Sequence, residues 1–110
     1  MEIFNVQDKA GASGEYILGA EQTGSHACYV IYGTMAPGEK GRELKPGKGH
    51  EEIFLAIQGD FIFTGESSGT IAQGKAVHLQ GDETLWLEND TDFDWLRDTP
   101  NFHIIIKSAK

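Results

Sequence analysis

The sequence predicts an all-β domain, and three observations lead there. Turn signals recur at short, even intervals along the 110 residues. The runs between them are too short for helices and rich in aromatic and β-branched residues. Fourteen glycines, and no window longer than about ten residues with sustained helical periodicity, argue against long helices. Many strands at this spacing imply a sandwich or barrel. The length suits a single domain, 1–110, and no internal repeat or interdomain linker is visible.

The elements follow from their punctuation. The alternation in 2–6 reads as a first strand, and Gly11-Ala12-Ser13-Gly14 separates it from a second over 15–19. Gln22-Thr23-Gly24-Ser25 opens 27–35, rich in tyrosine and β-branched residues and ended by Pro37-Gly38. Pro46-Gly47-Lys48-Gly49 leads into 51–58, which Gly59-Asp60 turns into 60–64. The Gly65-Glu66-Ser67-Ser68-Gly69 loop precedes strands over 70–73 and 75–80. Gly81-Asp82, Asn89-Asp90 and Asp98-Thr99-Pro100-Asn101 then bound strands over 84–89, 92–97 and 102–107.

Strand parity adds a further expectation. In 51–58, Ile53, Leu55 and Ile57 share one face, and Glu52, Phe54 and Ala56 share the other. Both faces are apolar apart from the carboxylate. In 102–107, Phe102, Ile104 and Ile106 similarly stand opposite His103, Ile105 and Lys107. A strand in a small barrel needs one buried face, so the second should pack on something. The expectation is a twofold homodimer packed sheet against sheet, with an N-terminal segment covering the outer face as the alternative.

Composition excludes several partners. Nine Lys and Arg against 17 Asp and Glu give a formal charge of -8. Such a surface repels phosphate backbones and anionic lipid, which removes nucleic acid and membranes as partners. No apolar run approaches the roughly 20 residues that span a bilayer. The N-terminal stretch lacks the basic and apolar regions of a secretory signal, so the expected location is cytoplasmic. Cys28 is the one cysteine, which precludes an intramolecular disulfide and reads as a small buried hydrophobe.

The centre of the chain carries a family pattern. Glu52 and Gly59, with six residues between them, match the end of the first cupin motif, His-x-His-x-x-x-Glu-x-x-x-x-x-x-Gly. Gly74 and Asn89 match the two ends of the second, which runs Gly, five residues, Pro-x-Gly, two residues, His, three residues, Asn. The 14 residues between Gly59 and Gly74 suit the short intermotif hairpin of small cupins. Upstream, the run ending in Met35-Ala36-Pro37-Gly38 is similar to the strand and turn that precede the first motif. Residues 27–107 thus resemble a cupin, which implies a double-stranded β-helix, the jelly-roll barrel, with a pocket at Glu52.

The usual metal ligands do not come with the resemblance. Pro46 and Lys48 stand where the two histidines of the first motif belong, and Leu85 stands at the histidine of the second. Gln80 and Asp82 replace its proline and glycine. One carboxylate does not hold a divalent transition metal, which needs three or four protein ligands. No cofactor is therefore favoured. A metal remains possible only through a rebuilt set of His50, Glu52 and His78, a two-His, one-carboxylate site.

Three functions compete. The leading one is a small-molecule-binding barrel without the usual metal, its pocket drawn from Lys48, His50, Glu52, Phe54, His78 and Leu85. The second is a metal-dependent cupin enzyme of dioxygenase, isomerase or decarboxylase type at His50, Glu52 and His78. The third is metal-free acid–base catalysis by Glu52 with Lys48 or His50. Glu52 is the leading catalytic candidate, because a carboxylate on an apolar inward face needs a partner.

Overall fold

The computed structural model describes residues 1–11, 14–25, 28–89 and 101–108. Among the described residues, the strands form two antiparallel sheets. The first is five-stranded, in the order β1 (Glu15–Leu18), β2 (Cys28–Met35), β9 (Asn101–Ser108), β4 (Glu51–Gln58) and β7 (Ala76–Gln80). The second is four-stranded, in the order β3 (Lys40–Leu44), β8 (Leu85–Glu88), β5 (Phe61–Thr64) and β6 (Ser68–Ile71). The connections β2 to β3, β3 to β4, β4 to β5, β6 to β7 and β7 to β8 each cross from one sheet to the other. Crossing at nearly every turn is what winds an antiparallel chain into a jelly roll. The sheets do not close on each other, so β7 and β6 are left as edges.

Parity within β4 decides the inside. Glu52, Phe54 and Ala56 are buried, whereas Ile53 and Ile57 are exposed on the outer face. The core gathers Ile31 and Met35 of β2, Phe54 and Ala56 of β4, and Leu79 of β7 against Leu44, Phe61, Ile71, Leu85 and Leu87 of the second sheet. Phe54 and Phe61 bridge the sheets edge to face, with ring centroids 5.2 Å apart and planes at 88°. Such a pair adds about 0.5–1.5 kcal/mol beyond the area it buries.

Three expectations change. Residues 2–6 do not form a strand; the chain instead makes a short helix α1 (Val6–Ala10). The Asn5 side chain accepts from the Asp8 amide and caps it, a local bond that outcompetes a weak alternation. A second short helix, α2 (Ala20–Thr23), precedes β2 and ends at Gly24 in the left-handed conformation. β3 is a strand without an apolar pattern. Lys40, Gly41 and Glu43 are exposed, Leu44 alone is buried, and a register shift falls between Lys40 and Arg42. Charge and a bulge at an edge are common protection against pairing with a second chain.

The other expected strands appear within one or two residues of their bounds, and the expected strand over 92–97 lies outside the described residues. The Cys28 side chain also lies outside them. Helix α1 packs on β1 and β2. Among the described residues, no helix is long and apolar enough to cross a membrane.

Candidate functional site

The two ends of β4 are built differently. At the Gln58 end, the chain leaves the first sheet through Gly59-Asp60 and returns through Gly74-Lys75. Both glycines have positive φ, 79° and 83°, where a side chain would be strained. The two corners are clasped together: the Gly59 amide donates to Gln73 Oε1 and the Gln73 amide to Asp60 Oδ1, each at 2.8 Å. The Gly74 amide also donates to the Ala56 carbonyl at 2.7 Å. Asn89, 1% exposed, donates from Nδ2 to the Met35 carbonyl at 2.9 Å, while its own amide donates to the Glu39 carbonyl. Gly59, Gly74 and Asn89 therefore do structural work. They hold the places where the chain changes sheets.

At the Glu51 end, two turns are stitched together. The Gly47 amide donates to the Gly81 carbonyl, and the Gly81 amide to the His50 carbonyl, both at 3.0 Å. The three motif positions at which another residue replaces the family's histidine lie here. Pro46 is buried, Lys48 is exposed, and Leu85 belongs to the core. His50 is half-buried in the turn, its amide donating to the Gly47 carbonyl.

Glu52 is 1% exposed, on the inner face with Phe54. Its register partners are Leu79 on β7 and Lys107 on β9, and Lys107 is in turn paired with Tyr29 on β2. His78 stands opposite Ile53, one residue out of phase with Glu52, and so projects from the outer face. There its Nε2 lies 2.8 Å from Glu51 Oε1, which also accepts from Gln80 Nε2 at 3.2 Å. The Gln80 amide group first, and then His78, hold the Glu51 carboxyl below its ordinary value. Glu52 and His78 are thus on opposite sides of the sheet. Among the described residues, no group of three or more His, Cys, Asp or Glu is arranged to hold a metal ion.

A cavity of about 230 Å³ opens between β7, an edge of the first sheet, and β5, β8 and the β5–β6 loop of the second. Phe63, Val77, Leu79 and Leu85 line it with apolar surface, and Glu66, Ser67, His78, Glu83 and Thr84 supply its polar lining. Gly65 lets the β5–β6 loop come this close to β8, since a Cβ there would meet the Thr84 carbonyl oxygen at 2.8 Å and Leu85 Cδ2 at 3.1 Å. The notch includes His78 and Leu85 from the sequence-derived set, and leaves out Lys48, His50, Glu52 and Phe54. Glu66, Ser67, Val77 and Leu79 carry no motif. What brings Val77 and Leu79 to the notch is that β7 is an edge, and what brings Glu66 and Ser67 is the β5–β6 loop, both properties of topology.

The fold is that of the cupins. Over 98% of this chain and 88% of the other, it superimposes on a Cupin 2 conserved barrel domain protein from Salinispora arenicola, with a TM-score of 0.77 and 18% identity. A cupin protein from Bacteroides fragilis matches over 98% of this chain and 80% of its own, with a TM-score of 0.71 and 14% identity. A sugar phosphate isomerase from a cupin superfamily, from Silicibacter pomeroyi, matches over 97% and 67%, with a TM-score of 0.64 and 14% identity. No family model matches the sequence, and no curated protein matches it. At these identities the likeness defines the fold and leaves the chemistry to the residues.

Proposed function

We propose that this chain is a cupin-type binding module that takes a small molecule in the notch at its β7 edge, without the metal of the usual cupin site. One observation carries the reading: the position of the second-motif histidine is held by Leu85, which is core on one side and notch lining on the other. The donor set does not fit a metal. Pro46 and Leu85 offer no lone pair for one, and Lys48 is an exposed ammonium. A rebuilt set of His50, Glu52 and His78 would need His78 and Glu52 to converge from opposite faces of one sheet. An enzymatic role for Glu52 has the same difficulty, because the notch meets the neighbouring Leu79 and not the carboxylate.

Metal analysis of untagged protein tests this directly. The expected content is far below one equivalent, and stoichiometric iron, manganese, nickel or zinc would overturn the proposal.

The same reading includes a twofold homodimer and a cytoplasmic location. On the outer face of β4, Ile53 and Ile57 are exposed beside the half-buried Leu55, with Ile106 and Ile104 of β9 the register partners of Ile53 and Leu55. Helix α1 packs on β1 and β2. A second copy meets the face with the same aliphatic row, as a twofold interface requires. Light scattering at micromolar concentration should give twice the chain mass, and Ile53→Lys should halve it. A monomeric wild-type chain would refute the dimer and leave the binding site untouched.

A further inference from the structure

The lining of the notch also specifies what kind of molecule fits, on the premise that the notch is the binding site. Its volume of about 230 Å³ is below the roughly 300–1,000 Å³ of pockets for drug-sized ligands, so the occupant is a compact molecule. Four apolar side chains, Phe63, Val77, Leu79 and Leu85, come from both sheets and call for an apolar body. The polar lining is biased in one direction. It holds two carboxylates, Glu66 and Glu83, and no lysine or arginine. Glu83 Oε1 already accepts from the Gln80 amide at 2.8 Å, which orients that carboxylate at the start of the β7–β8 turn. His78 is engaged with Glu51 on its outer side. A protein of formal charge -8 adds a field of the same sign around this opening.

We infer that the notch selects small organic cations: a compact apolar body seated on Phe63, Val77, Leu79 and Leu85, with an ammonium group directed to Glu66 and Glu83. Each part of the assignment has a physical cause. The apolar floor supplies burial, which is indifferent to charge. The carboxylates supply the sign, favouring a cation and opposing an anion of equal shape. The Phe63 ring also offers a face to which an ammonium is attracted. An anionic ligand, a phosphate ester included, is disfavoured because no lysine or arginine lines the notch to receive it.

Three near-isosteric probes separate sign from shape: benzylammonium, benzyl alcohol and benzoate. Each is titrated into the intact protein and followed through the backbone amide signals of residues 77–79 and 83–85. Benzylammonium should bind about fivefold more tightly than benzyl alcohol, the worth of an exposed ion pair, and benzoate more weakly than either. Added salt should narrow the gap between the first two. The double variant Glu66→Gln, Glu83→Gln should bring benzylammonium down to the affinity of benzyl alcohol and leave benzyl alcohol unchanged. If the alcohol and benzoate bind at these amides as well as the ammonium does, the cation assignment is wrong while the notch stands as a binding site. If none of the three perturbs these amides at millimolar concentration, both the cation assignment and the notch are refuted.

Discussion

The two ends of β4 fall within one sequence motif and have been put to different uses. Beyond Gln58, the motif glycines, Gly59 and Gly74, keep their backbone roles, and a side-chain clasp from Gln73 and Asp60 ties the outgoing and returning corners together. Before Glu51, the turns are stitched backbone to backbone, and the positions that match the motif's ligands hold a buried proline, an exposed lysine and a core leucine. Backbone conformation and ligand chemistry can therefore be kept or lost separately within one motif. The fold depends on the first and tolerates replacement of the second.

Substitutions at both ends measure how deep that division runs. Leu85→His, which puts back the motif's ligand type, should have the largest effect. It replaces a buried aliphatic group with a polar one and should cost about 2–5 kcal/mol in urea unfolding. Added zinc should not restore the loss, and full rescue by zinc would show that the ligand end is still latent. Asn89→Ala should follow, at about 1–3 kcal/mol, because the Met35 carbonyl loses a buried donor. A neutral result would mean that this corner is not held by Asn89.

Gly74→Ala should cost about 1–2 kcal/mol from its left-handed backbone alone, since nothing lies within 4 Å of the added Cβ. The smallest effect belongs to the outer face. An NMR titration should find the Glu51 midpoint below that of an ordinary glutamate, and Gln80→Ala should raise it. With the folded value depressed, the stabilisation is present above the unfolded value and fades as pH falls through the folded one. A Glu51 midpoint unmoved by Gln80→Ala would remove the leading cause assigned to it.

Most of the fold was legible because it rests on local signals. Alternation and glycine-bearing turns located β1, β2 and β4–β9, with the parity of β4 placing Glu52, Phe54 and Ala56 on one face. β3 was hidden because Lys40, Arg42 and Glu43 dominate a five-residue edge strand, where charge serves protection and not burial. The helix at Val6 was hidden because one asparagine cap outweighed the alternation before it. The site was less legible for a different reason. That Glu52 and His78 lie on opposite faces depends on how β4 is registered against β7, which neither strand encodes alone. The notch gathers residues 63 to 85 because the β7 edge stays open beside β5, β8 and the β5–β6 loop.

The clasp at Gly59, Asp60 and Gln73 has a consequence for variation. The chain between the two corners, β5, its loop and β6, leaves and returns at one fastened point, as a pendant does on a chain. Its exposed tip carries Glu66 and Ser67, one wall of the notch, while Val77, Leu79 and Leu85 lie beyond the fastening. Loop tips of this kind accept insertions and exchanges that sheets do not. On the proposed assignment of the notch, ligand preference would be redrawn by rewriting a few residues of the pendant, with the setting left as it is.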